Sequence, residues 1–140
     1  MENIYAGCVS YKNAGILIFG PSGSGKSDLA LRLIMNKGCV LVSDDRTDLE
    51  EKDGGLQASC PDGIKGLLEI RGIGIKTMPF QASAAVKLAV FLENDSRKIE
   101  RLPEREFYCF GHSAVEKITL CPFEASAPDK IVIKMDSLLD

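Results

Sequence analysis

The run Gly20-Pro21-Ser22-Gly23-Ser24-Gly25-Lys26-Ser27 fits the pattern G-x-x-x-x-G-K-[ST] and constrains this chain more than any other stretch. Ahead of it, Gly15-Ile16-Leu17-Ile18-Phe19 is a short continuous apolar run of the kind found in a strand buried on both faces. Behind it, Leu29 with Leu33 and Ala30 with Ile34 pair at i and i+4, which predicts a helix ending near Lys37-Gly38. A strand, a glycine-rich turn and a helix in that order aim backbone N–H groups and a positive dipole end at one point, a natural seat for phosphate. Gly20, Pro21, Ser22, Gly23, Ser24 and Gly25 would form the cradle. Lys26 can neutralise the terminal phosphates, and the Ser27 hydroxyl can complete a magnesium shell.

The next apolar run, Cys39-Val40-Leu41-Val42, ends in Ser43-Asp44-Asp45. Strand, loop, helix and strand within about 30 residues is the βαβ pattern, which predicts an α/β fold with a parallel sheet. Ligands of such sheets bind at the carboxyl ends of the strands. One of Asp44 and Asp45 can therefore hold magnesium while the other takes a proton from an attacking hydroxyl. Neighbouring strand residues face opposite ways, so both serve one site only if the chain turns there, and Arg46-Thr47-Asp48 allows a turn. In Leu68-Glu69-Ile70-Arg71-Gly72-Ile73-Gly74-Ile75, a strand would bury Leu68 and Ile70 and place Glu69 and Arg71 together on the other side. That carboxylate could hold a metal and that guanidinium a phosphoryl group, although a surface ion pair has the same pattern.

Other elements follow from the same periodicities. Ile4 to Val9 reads as an opening strand, followed by a turn over Tyr11 to Ala14, and strands are expected at Leu67 to Ile70, Val86 to Leu92 and Ile118 to Leu120. The tail is two-sided. Ser126 with Pro128 looks like a helix start, whereas Ile131, Ile133 and Met135 alternate as a strand would, and a helix is the expectation.

A length of 140 residues suits a single domain, 1–140. With 17 Lys and Arg against 20 Asp and Glu, the net charge of -3 argues against a broad nucleic-acid-binding face. No apolar run approaches the roughly 18–20 residues that span a bilayer, and the first residues lack a basic segment ahead of an apolar one. A cytoplasmic protein with no membrane partner is expected. The five cysteines contain no C-x-x-C pair and read as free thiols, with Cys109 and His112 offering half a zinc site at most.

Gly20 to Ser27, Val42-Ser43-Asp44-Asp45-Arg46 and Leu68-Glu69-Ile70-Arg71-Gly72-Ile73-Gly74-Ile75 together resemble the catalytic domain of HPr kinase/phosphorylase. Glu100-Arg101-Leu102-Pro103 and Pro122-Phe123-Glu124-Ala125-Ser126-Ala127-Pro128 resemble its short, single-domain bacterial branch. The resemblance implies a P-loop fold related to phosphoenolpyruvate carboxykinase. It also implies ATP-dependent phosphorylation of a serine on the phosphocarrier protein HPr, reversal by phosphorolysis, and a homo-oligomer. By position it implies that Lys26 contacts the transferring phosphoryl group and that Ser27 and Glu69 sit at Mg2+. Asp45 would be base in the forward reaction and acid in reverse, and Arg101 would stabilise transition-state charge. Two departures stand out. Tyr5 occupies the place of a catalytic histidine, and the stretch after the late strand, Cys121 to Ser126, lacks the basic residue linked to dephosphorylation. A nucleotide-binding regulatory module and a small-metabolite kinase are the competing readings, because the loop itself does not specify an acceptor.

Overall fold

The computed structural model describes residues 1–140. Its strands are β1 (Glu2–Ile4), β2 (Gly7–Tyr11), β3 (Ala14–Phe19), β4 (Val40–Ser43), β5 (Thr47–Lys52), β6 (Gly55–Ser59), β7 (Leu67–Ile70), β8 (Gly74–Thr77), β9 (Ser83–Leu92), β10 (Glu106–Phe110) and β11 (Ser113–Leu120). Helix α1 (Lys26–Lys37) follows β3, and α2 (Ala127–Leu139) closes the chain.

The main sheet has nine strands and runs β1-β5-β6-β9-β3-β2-β4, with β11 also pairing β9 and β10 pairing β11. Strand β3 pairs β9 in parallel, and β9 pairs β11 in parallel. The first part of β9 pairs β6 and its second part pairs β11, so one edge of this strand serves two neighbours in turn. The expected βαβ unit is present with a modification: β2 lies between β3 and β4 and runs antiparallel to both. The sheet is therefore mixed, not parallel. Because β2 reverses direction, β3, β4, β9 and β11 still run the same way, and their carboxyl ends share one edge. Strand β2 begins at that edge.

The expected strand over Ile4 to Val9 is broken at Tyr5-Ala6. Its first piece, β1, pairs β5, while its second, β2, enters the sheet between β3 and β4 with every residue buried. The turn expected at Tyr11 to Ala14 is present, with Lys12 and Asn13 at φ 49° and 67°. Positive φ at both central residues matches the twist of a two-residue hairpin. Asp53 and Gly54 repeat this geometry between β5 and β6, at φ 53° and 76°. That Asp-Gly signal marks a hairpin that the apolar pattern alone did not reveal.

Two apolar layers hold the sheet. On one face α1 and α2 cover Val9, Ile16, Ile18, Leu88 and Val90 with Leu29, Leu33, Ile131 and Met135. On the other, Cys8, Leu17, Val42, Leu49, Leu56 and Val86 form a second cluster, flanked by Phe19, Tyr108 and Phe110. Each of these large side chains contributes about 1.5–3 kcal/mol when fully buried. The tail forms the expected helix. Ile131 and Met135, one turn apart, are buried, whereas Ile133 is 70% exposed, so the alternation was incidental. Pro128 stands in the first turn of α2, and Ser126 precedes it without a side-chain capping bond.

Candidate functional site

Strand β3 delivers the chain at Phe19 into the loop, and α1 starts at Lys26. The amides of Ser22, Gly23, Gly25, Lys26, Ser27 and Asp28 find no acceptor within the protein; in this region only Ser24 N–H, to the Pro21 carbonyl at 3.0 Å, and Leu29 N–H, to that of Gly25 at 2.9 Å, are bonded. A helix start always leaves orphan donors. Here the loop adds its own, and the result is an anion-binding concavity. Gly25 is doubly constrained: its φ is 100°, and a Cβ would stand 3.2 Å from the Phe123 ring.

The Lys26 ammonium is buried and donates to the carbonyls of Gly20 (2.7 Å) and Pro21 (3.1 Å). It also lies 3.8 Å from the Asp45 carboxylate and 4.3 Å from the centre of the Tyr5 ring. Tyr5 reaches this position because β2 starts at the shared edge, so the residues just before it fall between the loop and the end of β4. It occupies the break between β1 and β2, not the strand position implied for the histidine. The Arg46 guanidinium is 5.1 Å from the ring centre, giving Tyr5 two cation–π partners.

The turn required to bring both aspartates to one site is present. Arg46 N–H donates to the Asp44 carbonyl at 2.7 Å, with Asp45 between them at φ 67°. These are the features of the strained form of the γ-turn. Outside glycine such backbone is uncommon and concentrates at functional sites. Ser43, whose hydroxyl donates to the Arg46 carbonyl, braces the turn from beneath. Its oxygen also lies 3.4 Å from the Cys60 sulfur, and burial pushes that thiol's pKa up.

Asp44 joins two elements. One carboxylate oxygen accepts from the Ser27 hydroxyl at 2.8 Å, and the other accepts from the Glu69 backbone N–H at 3.0 Å. Adjacent ligand oxygens around octahedral Mg2+, each at about 2.1 Å, stand about 3 Å apart. The hard oxygens of Ser27 and Asp44 therefore fit that ion. Glu69 is exposed on β7 and lines the same cleft. Arg71 lies just past β7 in the turn to β8, so it does not share a strand face with Glu69, although it too lines the cleft.

The cleft encloses about 700 Å3. Ser22, Gly23, Gly25, Lys26, Ser27, Asp45 and Glu69 line it, together with Tyr5 and the apolar side chains of Ile73, Ile75 and Phe123. Gly20, Pro21, Ser24 and Asp44 adjoin or bond to residues of the lining without belonging to it, whereas Arg101 does neither. It is exposed in the segment between the 3-10 turn Ser96–Lys98 and β10, away from the cleft lining. Sequence reasoning missed Arg46 as a ring partner and Phe123 as a neighbour of the loop. The second was hidden because 98 residues separate it from Gly25. No cluster of three or more His, Cys, Asp or Glu could hold a metal, so Cys109 and His112 gain no further ligand. No helix is long and apolar enough to cross a membrane.

Residues 1–120 match the family described as HPr Serine kinase C-terminal domain. The HPr kinase/phosphorylase of Clostridium novyi is 49% identical over 116 residues, which is 76% of this chain and 38% of the relative. That of Clostridium botulinum is 51% identical over 67 residues, 48% of this chain and 22% of the relative. The chain thus spans between about a fifth and two fifths of the curated relatives it matches. The solved structure of the Hpr(Ser) kinase/phosphatase from Coxiella burnetii superposes with a TM-score of 0.85 at 26% identity, covering 99% of this chain and 98% of that one. Strand, phosphate loop and helix thus sit in the P-loop kinase fold shared with that structure. The chain belongs to the HPr serine kinase C-terminal domain family.

Proposed function

We propose that this chain is an ATP- and Mg2+-dependent kinase that phosphorylates a serine of the phosphocarrier protein HPr. The observation that carries the reading is convergence: a ring of unpartnered amides, the Lys26 ammonium and the Asp45 carboxylate meet in one cleft, and Asp44 is hydrogen-bonded to Ser27 of its lining. Phosphoryl transfer needs little covalent help from a protein, and positioning with charge stabilisation does most of the work. That is the chemistry these groups can supply.

In this reading the loop amides bind the β- and γ-phosphates. Lys26 exchanges its contacts with the Gly20 and Pro21 carbonyls for phosphate oxygens. Ser27 and Asp44 hold Mg2+, with Glu69 on the same side of the cleft. When bound, the ion neutralises negative charge on the phosphates. Asp45 accepts the proton of the attacking serine hydroxyl, from a carboxylate that stands 3.8 Å from the Lys26 ammonium. Lys26, buried at the cleft, stabilises transition-state charge. Support for HPr as acceptor comes from family membership and from the names of the relatives.

The test is transfer of labelled γ-phosphate from ATP to purified HPr with Mg2+ present. Transfer that disappears in Asp45→Asn is expected. Absence of transfer by the wild-type chain across pH 6 to 9 rejects the reading, and activity on a metabolite with none on HPr reassigns the acceptor.

A further inference from the structure

We propose that Phe123 is the platform on which the purine base of a bound nucleoside triphosphate stacks, a proposal that rests on the loop being the triphosphate site. Sheet order supplies the direction. Asp44 and Asp45 follow β4, two strands to one side of β3, so the reacting end of the phosphate chain lies on that side. The nucleoside end must then leave the loop towards the other side. Two strands that way is β11, which runs parallel to β9 and β3 and ends at the same edge. The segment after it, Cys121 to Ser126, carries one aromatic residue, Phe123.

The ring is both fixed and open. Cys121 and Pro122 are buried, and the Arg32 guanidinium of α1 holds the Pro122 carbonyl at 2.5 Å. Glu124 N–H closes a turn onto the Cys121 carbonyl at 3.4 Å, and α2 begins three residues later. Phe123 abuts Gly25, yet it is 62% exposed and lines the cleft. An aromatic face anchored by its backbone and presented to a ligand loses little entropy on binding. Every base offers a π-face to such a platform, and the larger purine ring overlaps it more, so stacking favours purine nucleotides without distinguishing adenine from guanine. The exposed aliphatic residues of the cleft, Ile73 and Ile75, lie on the β7–β8 hairpin beside Glu69 and offer no aromatic face.

The full chain would be titrated by calorimetry with Mg-ATP and, separately, with Mg-tripolyphosphate, which has the phosphates but no base. Phe123→Ala should weaken ATP binding about 5- to 150-fold, the range typical of one lost base–aromatic stack, and leave tripolyphosphate binding unchanged. Phe123→Tyr should restore ATP affinity. Because the chain has no tryptophan, Phe123→Trp places a single indole at the site. Its fluorescence should be quenched by ATP and GTP but not by tripolyphosphate. Equal weakening of both ligands by Phe123→Ala would assign the ring to loop packing and overturn the proposal, as would unchanged ATP affinity. If wild-type protein binds ATP but not tripolyphosphate, or binds neither, the phosphate-loop reading itself fails and the stacking proposal falls with it.

Discussion

The backbone of Asp45 can be weighed separately from its carboxylate. At φ 67° a residue with a Cβ bears a left-handed clash worth about 1–2 kcal/mol. Glycine escapes the clash but loses roughly 0.5–1 kcal/mol more to chain entropy. Asp45→Gly and Asp45→Ala both delete the 3.8 Å pairing with Lys26, so that loss cancels between them. Asp45→Gly should therefore be the more stable of the two by roughly 0.75 kcal/mol at mid-range and at most about 1.5, equivalent to about 3 °C and at most about 5 °C in melting temperature for a domain of this size. Asp45→Asn keeps a side chain that tolerates this backbone and should remain within about 1 kcal/mol of wild type. Its phosphotransfer to HPr should nevertheless drop about 100- to 10,000-fold, the usual worth of a positioned general base. Urea melts of the four proteins give the stability order, and labelled transfer gives the rates. An alanine variant as stable as the glycine variant would refute the strained turn, and an asparagine variant with wild-type turnover would refute the proton-acceptor role.

Four further outcomes are expected. Lys26→Ala should abolish detectable ATP binding in calorimetry, whereas Arg101→Ala, away from the cleft, should bind ATP as wild type does. Tyr5→Phe should keep phosphotransfer within about twofold, since the ring face and not the hydroxyl meets Lys26 and Arg46, while Tyr5→Ala, by removing a contact of about 0.5–2 kcal/mol, should slow it measurably. The hydrogen-bonded Lys134 ammonium, helped by Arg105, holds the Glu116 carboxyl below its ordinary 4.5; its contribution is thus complete above that value and lost as pH falls through the depressed one, so the stability gap between wild type and Glu116→Gln should close on acidification in urea melts. Burial pushes the Cys8 thiol up to about 12 and that of Cys39 up to about 11, so thiol titration at pH 8 should modify exposed Cys109 first and reach the buried four only after unfolding.

How much of this was legible in the residues differs from element to element. The phosphate loop was, because its chemistry is local: Gly20 to Ser27 contains the turn, the cation and the hydroxyl, and the flanking periodicities identify strand and helix. The aspartate pair was legible as a position but not as a geometry, since only the turn at Asp45 shows that neighbouring carboxylates can face one cleft. Sheet order was not accessible. Gly7 to Tyr11 pairs with residues on both sides of α1, and no local pattern announces that an antiparallel strand will separate β3 from β4. The hairpins at Asp53-Gly54 and Gly111-His112 were signalled by turn residues, yet their strands alternate weakly because much of β5 and β10 faces solvent. Arg71 lies past the strand end that periodicity assigned it, although it lines the cleft, and Arg101 lies outside that lining.

Strand β2 acts as a spacer. By standing between β3 and β4 it sets their carboxyl ends two inter-strand steps apart, about 9.5 Å, where direct neighbours would leave about half that width. A slot of that gauge admits a phosphate chain with an acceptor beside it, and its width is fixed by main-chain pairing instead of by any side chain. Tyr5, two residues ahead of the spacer, is delivered into the cleft lining. Position 5 is therefore a natural tuning point, where the reaction's electrostatics can be altered while the cradle and the carboxylates stay as they are.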